Sequence, residues 1–145
     1  MKLNFKDFFI LVIILITLII GISSSNKDYT PSIIPSSEQD IINNCNNIFD
    51  IEQKSLCWRD NIQTFYNYTE IDGIYNFNEL KTYGGDCSEW SSLYQRLANI
   101  DKIQNEIIVE KSLDNWTTRH IFLIIYNNET ECKLNQLEVQ CYPKN

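Results

Sequence analysis

The 145-residue chain has a single histidine, no Cys-x-x-Cys pair and no internal repeat. A zinc site assembled from cysteine and histidine needs several such ligands at short spacing, so neither a metal nor another cofactor is expected. Basic residues are scarce as well, with twelve Lys and Arg against nineteen Asp and Glu for a formal charge of −7. Residues 1–25 hold two of the lysines and one aspartate, so the remainder carries ten positive and eighteen negative charges, net −8. So acidic a remainder lacks the basic footprint that neutralises phosphate, which argues against nucleic acid or an anionic lipid surface as its partner. A hydrophobic content of 43%, with 12% aromatics, is too high for a disordered chain, and the length suits one small domain.

The apolar residues are unevenly spread. Lys2 and Lys6 precede an unbroken run from Phe8 to Ile22 in which Thr17 alone is polar. Charged flank plus apolar run is the pattern of an export signal, long for a signal and short for a span. Ser23 and Ser25 are small enough for cleavage, but there is no Ala-x-Ala, so a cleaved signal and an uncleaved membrane anchor both remain open for residues 1–25. Residues 26–36, with two prolines and no period, read as a linker. Residues 37–145 are then the folded domain, outside the cytoplasm, either tethered to the membrane through the N-terminal segment or secreted. Three Asn-x-Thr sequons, at Asn67, Asn115 and Asn128, suit an exported chain as candidate glycosylation sites.

Within the domain, Ser37 with Gln39 and Asp40 looks like a helix start, after which Ile41, Ile42, Cys45, Ile48 and Phe49 recur at helical spacing. A second helix is expected from Ile51 through Phe65, with Leu56, Trp58, Ile62 and Phe65 inward. Residues 67–83 read as loop. From Cys87 to Asn99, Trp90, Leu93, Tyr94 and Leu97 fall at i, i+3, i+4 and i+7, an amphipathic helix. β-Branched and aromatic runs follow at residues 106–110 and 121–126, with two alternating pieces between Cys132 and Tyr142. Helices first and an antiparallel sheet second make an α+β fold.

Five cysteines leave one outside any full set of bridges. Spacing favours Cys45–Cys57, between consecutive helices, and Cys132–Cys141, across strands paired about Gln136 and Leu137, although other pairings satisfy the count. Cys87 is then the cysteine left over. It follows Gly84-Gly85-Asp86 and begins a helix, where backbone N–H groups and the positive dipole end favour a thiolate. Asp86 and Glu89 add negative charge that works against this, so a base is required. His120 starts the most apolar strand and shares a side with Phe122, Ile124 and Tyr126, taken as the side turned toward the Cys87 helix. There its imidazole accepts the thiol proton and returns it to a leaving amine. Asn135, on the following piece of sheet, is the candidate to orient the ring.

Gly-Gly-Asp-Cys-x-Glu-Trp-Ser, a strand opening with His about thirty residues later, and then a short strand ending Cys-x-Leu-Asn-Gln resemble the transglutaminase-like superfamily, in particular its small prokaryotic members. The resemblance spans roughly residues 50–142 and implies a papain-like core with Cys87 as nucleophile, His120 as base and acid, and Asn135 where the family usually has aspartate. Asparagine can orient a histidine but supports an imidazolium less than a carboxylate does. The resemblance also implies an oxyanion site made by the Cys87 N–H and a nearby donor, for which Tyr83 is the candidate. Three functions compete. The first is an exported or membrane-anchored cysteine hydrolase or acyltransferase acting on peptide or protein amides through a thioester. The second is a catalytically inactive binding or surface module of the same fold, and the third a dimer joined through Cys87.

Overall fold

A computed structural model of the chain describes residues 34–70, 73, 76–111 and 119–144; the apolar N-terminal run, most of the linker and Asn115 lie outside them. Among the described residues four helices precede four strands, in the expected order: α1 (Glu38–Asn44), α2 (Ile51–Gln63), α3 (Phe77–Tyr83), α4 (Cys87–Ile100), β1 (Gln104–Lys111), β2 (Arg119–Tyr126), β3 (Thr130–Asn135) and β4 (Glu138–Pro143). The strands form one antiparallel sheet in sequential order, and the helices cover one of its faces, a two-layer α+β fold. Among the described residues no helix is long and apolar enough to cross a membrane.

Each helix starts where its sequence supplies an acceptor for the orphan N–H groups. Ser37 accepts from Asp40 N, Asp50 from Gln53 N and Asn76 from Glu79 N. The last of these begins α3, where the sequence pattern predicts loop. This helix is seven residues long and buries only Phe77 and Leu80, too few positions to display a period. Ahead of α1, Pro35 is buried and its carbonyl accepts from Lys81 Nζ at 2.8 Å.

Helix α4 is the centre of the molecule. Trp90, Leu93, Tyr94 and Leu97 are all fully buried against Leu123, Ile125, Cys132 and Leu134 of the sheet and Trp58 and Ile62 of α2. At about 1.5–3 kcal/mol per fully buried large apolar side chain, this seam dominates the stability of the domain. On α2, Leu56 is only half-buried, and two polar residues sit inward with their bonds made internally. Ser55 donates to Ile51 O, while Asn61 donates to Cys57 O and accepts from Asn44 Nδ2. Both expected disulfides are present, Cys45–Cys57 between α1 and α2 and Cys132–Cys141 at directly paired positions of β3 and β4. Two intramolecular disulfides fit an oxidising, extracytoplasmic compartment.

The β1–β2 pairs run to Lys111 and Arg119 and the β3–β4 pairs to Asn135 and Glu138, but the β2–β3 pairs stop at Leu123 and Leu134. Beyond that point α4 bonds to both strands' continuations. Ser91 Oγ donates to Ile121 O at 3.0 Å, and Tyr94 OH donates to Gln136 O at 2.7 Å.

Candidate functional site

Cys87 is the first residue of α4 and belongs to neither disulfide. The two glycines ahead of it are demanded by contacts. Gly84 has φ of +80°, and a Cβ there would lie 2.4 Å from Asn67 O. A Cβ on Gly85 would meet Glu89 and Leu80 at 2.7 Å. The space is filled because residues 67–69 run parallel to Gly85, with Gly85 N donating to Asn67 O and Thr69 N to Gly85 O. Trp90 Nε1 takes a second bond to Gly85 O at 2.9 Å, so the entry to α4 is tied to its own first turn.

The helix start is closed by a capping box. Asp86 accepts from Ser88 N and Ser88 Oγ at 2.6 and 2.7 Å, and Asp86 N donates to Glu89 Oε2 at 3.0 Å. Burial works to raise the Asp86 carboxyl, yet hydrogen bonds from the Glu89 carboxyl and from Ser88 hold it below the usual range. Burial first, and the proton shared with Asp86 second, push Glu89 up. Tyr66 and Tyr68 lie close enough to Cys87 to feel it electrostatically. Burial raises the phenol of Tyr66, with smaller contributions from Tyr68 and Cys87, and that of Tyr68, with smaller contributions from Glu70, Asp86 and Cys87.

His120 and Asn135 are brought together. With Lys133, Glu138 and Gln140 they line a cleft of about 180 Å³. His120 does share its side of β2 with Phe122, whose ring centre is 6.2 Å away. That side is not the one turned to the body of α4, which is a correction to the expectation. Ile121, Leu123 and Ile125 form the other side; Leu123 and Ile125 join Cys132 and Leu134 in the core, and Lys133 Nζ sits 3.7 Å over the Phe122 ring on the opposite side. Both sides of β2 are apolar, and the partner strand decides which faces inward. Cys87 is not among the residues lining the His120 cleft. It stands one turn ahead of Ser91 on the same helical face, at the end of the sheet where β2 and β3 part. Asn135 Oδ1 is buried, and among the described residues no hydrogen bond reaches it.

Tyr83, the candidate oxyanion donor, ends α3 with its side chain 57% exposed and its carbonyl bonded by Thr69 Oγ1 at 3.1 Å. Asn67 and Asn128 are exposed, as glycosylation requires. Among the described residues no group of three or more His, Cys, Asp or Glu is placed to hold a metal ion.

No family model, curated protein or solved structure matches the chain. Sequence reasoning missed Gln136, whose side chain accepts from Tyr66 OH at 3.1 Å across seventy positions of chain. Its only sequence signal is its place beside Asn135.

Proposed function

We propose that the domain is a transglutaminase-like cysteine hydrolase or acyltransferase with a papain-like core, exported or membrane-anchored, acting on peptide or protein amides. The observation that carries the reading is the opening between β2 and β3. The N-terminal turns of α4 bond to the strand segments on either side of it, and Cys87, His120 and Asn135 all fall at that end. A residue at the helix tip can meet side chains on the far side of the sheet there by passing the strand ends, without crossing the sheet. The buried Oδ1 of Asn135, which has no hydrogen-bond partner among the described residues, supports the reading too, because it is an acceptor in want of an N–H beside the only imidazole in the chain.

In this reading the Cys87 sulfur attacks the amide carbon as His120 takes the thiol proton, and the Cys87 N–H faces the developing oxyanion. His120 then delivers the proton to the leaving amine, which departs and leaves a thioester. Water, or an amine in the transferase case, gives a proton to His120, adds to the thioester carbon and expels the thiolate. Asn135 accepts from the second ring nitrogen and holds the tautomer that can act as base.

A second reading, an inactive module of the same fold, is favoured by one observation: the His120 cleft is lined without Cys87. Trapping separates the two. The purified protein incubated with activated peptide esters should carry an acyl group on Cys87, detected by mass spectrometry, and His120→Ala should abolish it. No adduct on Cys87 with any ester would leave the inactive module standing.

A further inference from the structure

Asn135 can orient His120 only if its own side chain is aimed, and among the described residues no hydrogen bond to its Oδ1 does this. Its direction is therefore set by the backbone on either side. Upstream, β3 is paired through Asn135 to Glu138. Downstream stands Gln136, a non-glycine residue with φ of +50°, a left-handed conformation that costs a side-chain-bearing residue about 1–2 kcal/mol. Two tyrosines hold it there. Tyr94 OH, fully buried, donates to the Gln136 carbonyl at 2.7 Å. Tyr66 OH donates to the Gln136 Oε1 at 3.1 Å.

Both tyrosines come from the part of the molecule that carries Cys87. Tyr94 is on α4 itself. Tyr66 packs its ring 4.7 Å from that of Trp90, whose indole N–H is bonded to Gly85, two residues before Cys87. A continuous set of contacts thus runs from the Gly85 turn through Trp90, Tyr66 and Gln136 to Asn135. We infer that Tyr66 and Tyr94 are positioning residues of the proposed site: through Gln136 they fix the direction in which Asn135 presents its Oδ1 to His120, and they tie that direction to the Cys87 end of α4. The inference rests on the cysteine-hydrolase reading for its catalytic meaning, while the clamp itself can be tested apart from it.

Tyr66→Phe is the informative change, because it keeps the ring on Trp90 and removes one hydroxyl. The full chain in detergent micelles is followed by two readouts: the nitrogen resonances of the His120 ring and the Asn135 amide, and the rate at which iodoacetamide modifies Cys87 near neutral pH. Tyr66→Phe should shift both sets of resonances and slow alkylation about fivefold, the size of one lost hydrogen bond. Gln136→Met should reproduce the effect. Gln136→Glu, which keeps an acceptor for the tyrosine, should remain close to the parent protein. If Tyr66→Phe lowers the melting temperature and leaves the resonances where they were, or if Gln136→Glu behaves like Gln136→Met, the clamp is overturned and Tyr66 is a packing residue. Failure of the hydrolase reading has a different signature: Tyr66→Phe moves the His120 and Asn135 resonances, while neither it nor His120→Ala changes the alkylation rate. In that case the clamp stands as a structural device without catalytic meaning.

Discussion

Glu89 occupies an unusual place for an acidic side chain, almost wholly buried one turn into the helix that Cys87 begins, with a carboxyl pushed up by burial and by the proton shared with Asp86. A folded-state value above the unfolded one means that the native state binds the extra proton, so stability falls as pH rises from the unfolded carboxylate range through the folded value. Glu89→Gln imitates the protonated form: its amide oxygen can still accept from Asp86 N and its NH₂ can donate to the Asp86 carboxylate. Urea unfolding at a series of pH values should therefore show a flatter profile above about pH 4.5 for the variant, with the two proteins converging in acid. An unchanged profile would mean that folding does not raise the Glu89 carboxyl. Gly84 offers a harsher test. Alanine there would combine a positive φ with a Cβ 2.4 Å from the Asn67 carbonyl, and should cost more than about 2 kcal/mol in the same assay.

At the scale of elements, Ser91 joins α4 to the separated end of β2 through the Ile121 carbonyl. Ser91→Ala leaves that acceptor unsatisfied beneath a fully buried helix face, a loss of about 1–3 kcal/mol measurable by denaturant unfolding. A smaller loss would indicate that the strand end closes onto β3 by itself. The elements differ in how plainly the sequence announces them. Trp90, Leu93, Tyr94 and Leu97 all point one way on α4, and all four are fully buried. Cys132 and Cys141 lie directly opposite each other because the residues between them make a tight turn. Helix α3 was invisible because two buried residues do not make a period. The orientation of β2 was illegible for a different reason: both sides carry large apolar residues, Phe122, Ile124 and Tyr126 on one and Ile121, Leu123 and Ile125 on the other, so alternation alone does not say which faces inward. Cys132 and Leu134 on the partner strand decide it. The Tyr66–Gln136 contact spans seventy positions, and no local pattern encodes such a meeting.

The described residues form a helical layer on a four-stranded meander, stapled once in each layer. The sheet staple closes a loop of nine positions, worth about 2–3 kcal/mol in the chain-entropy account. The Cys132→Ser, Cys141→Ser double variant should lose about that much, and a negligible loss would show the hairpin to be held by Tyr94, Leu134 and Val139 alone. The central claim is that Cys87 and His120 act as one unit across the opening between β2 and β3, and the rate of Cys87 alkylation against pH, for the parent protein and His120→Ala, tests it most directly. Since no second histidine can substitute, the account predicts that Cys87 of the parent protein is alkylated faster than Cys87 of His120→Ala across the neutral range. Superimposable profiles would contradict it.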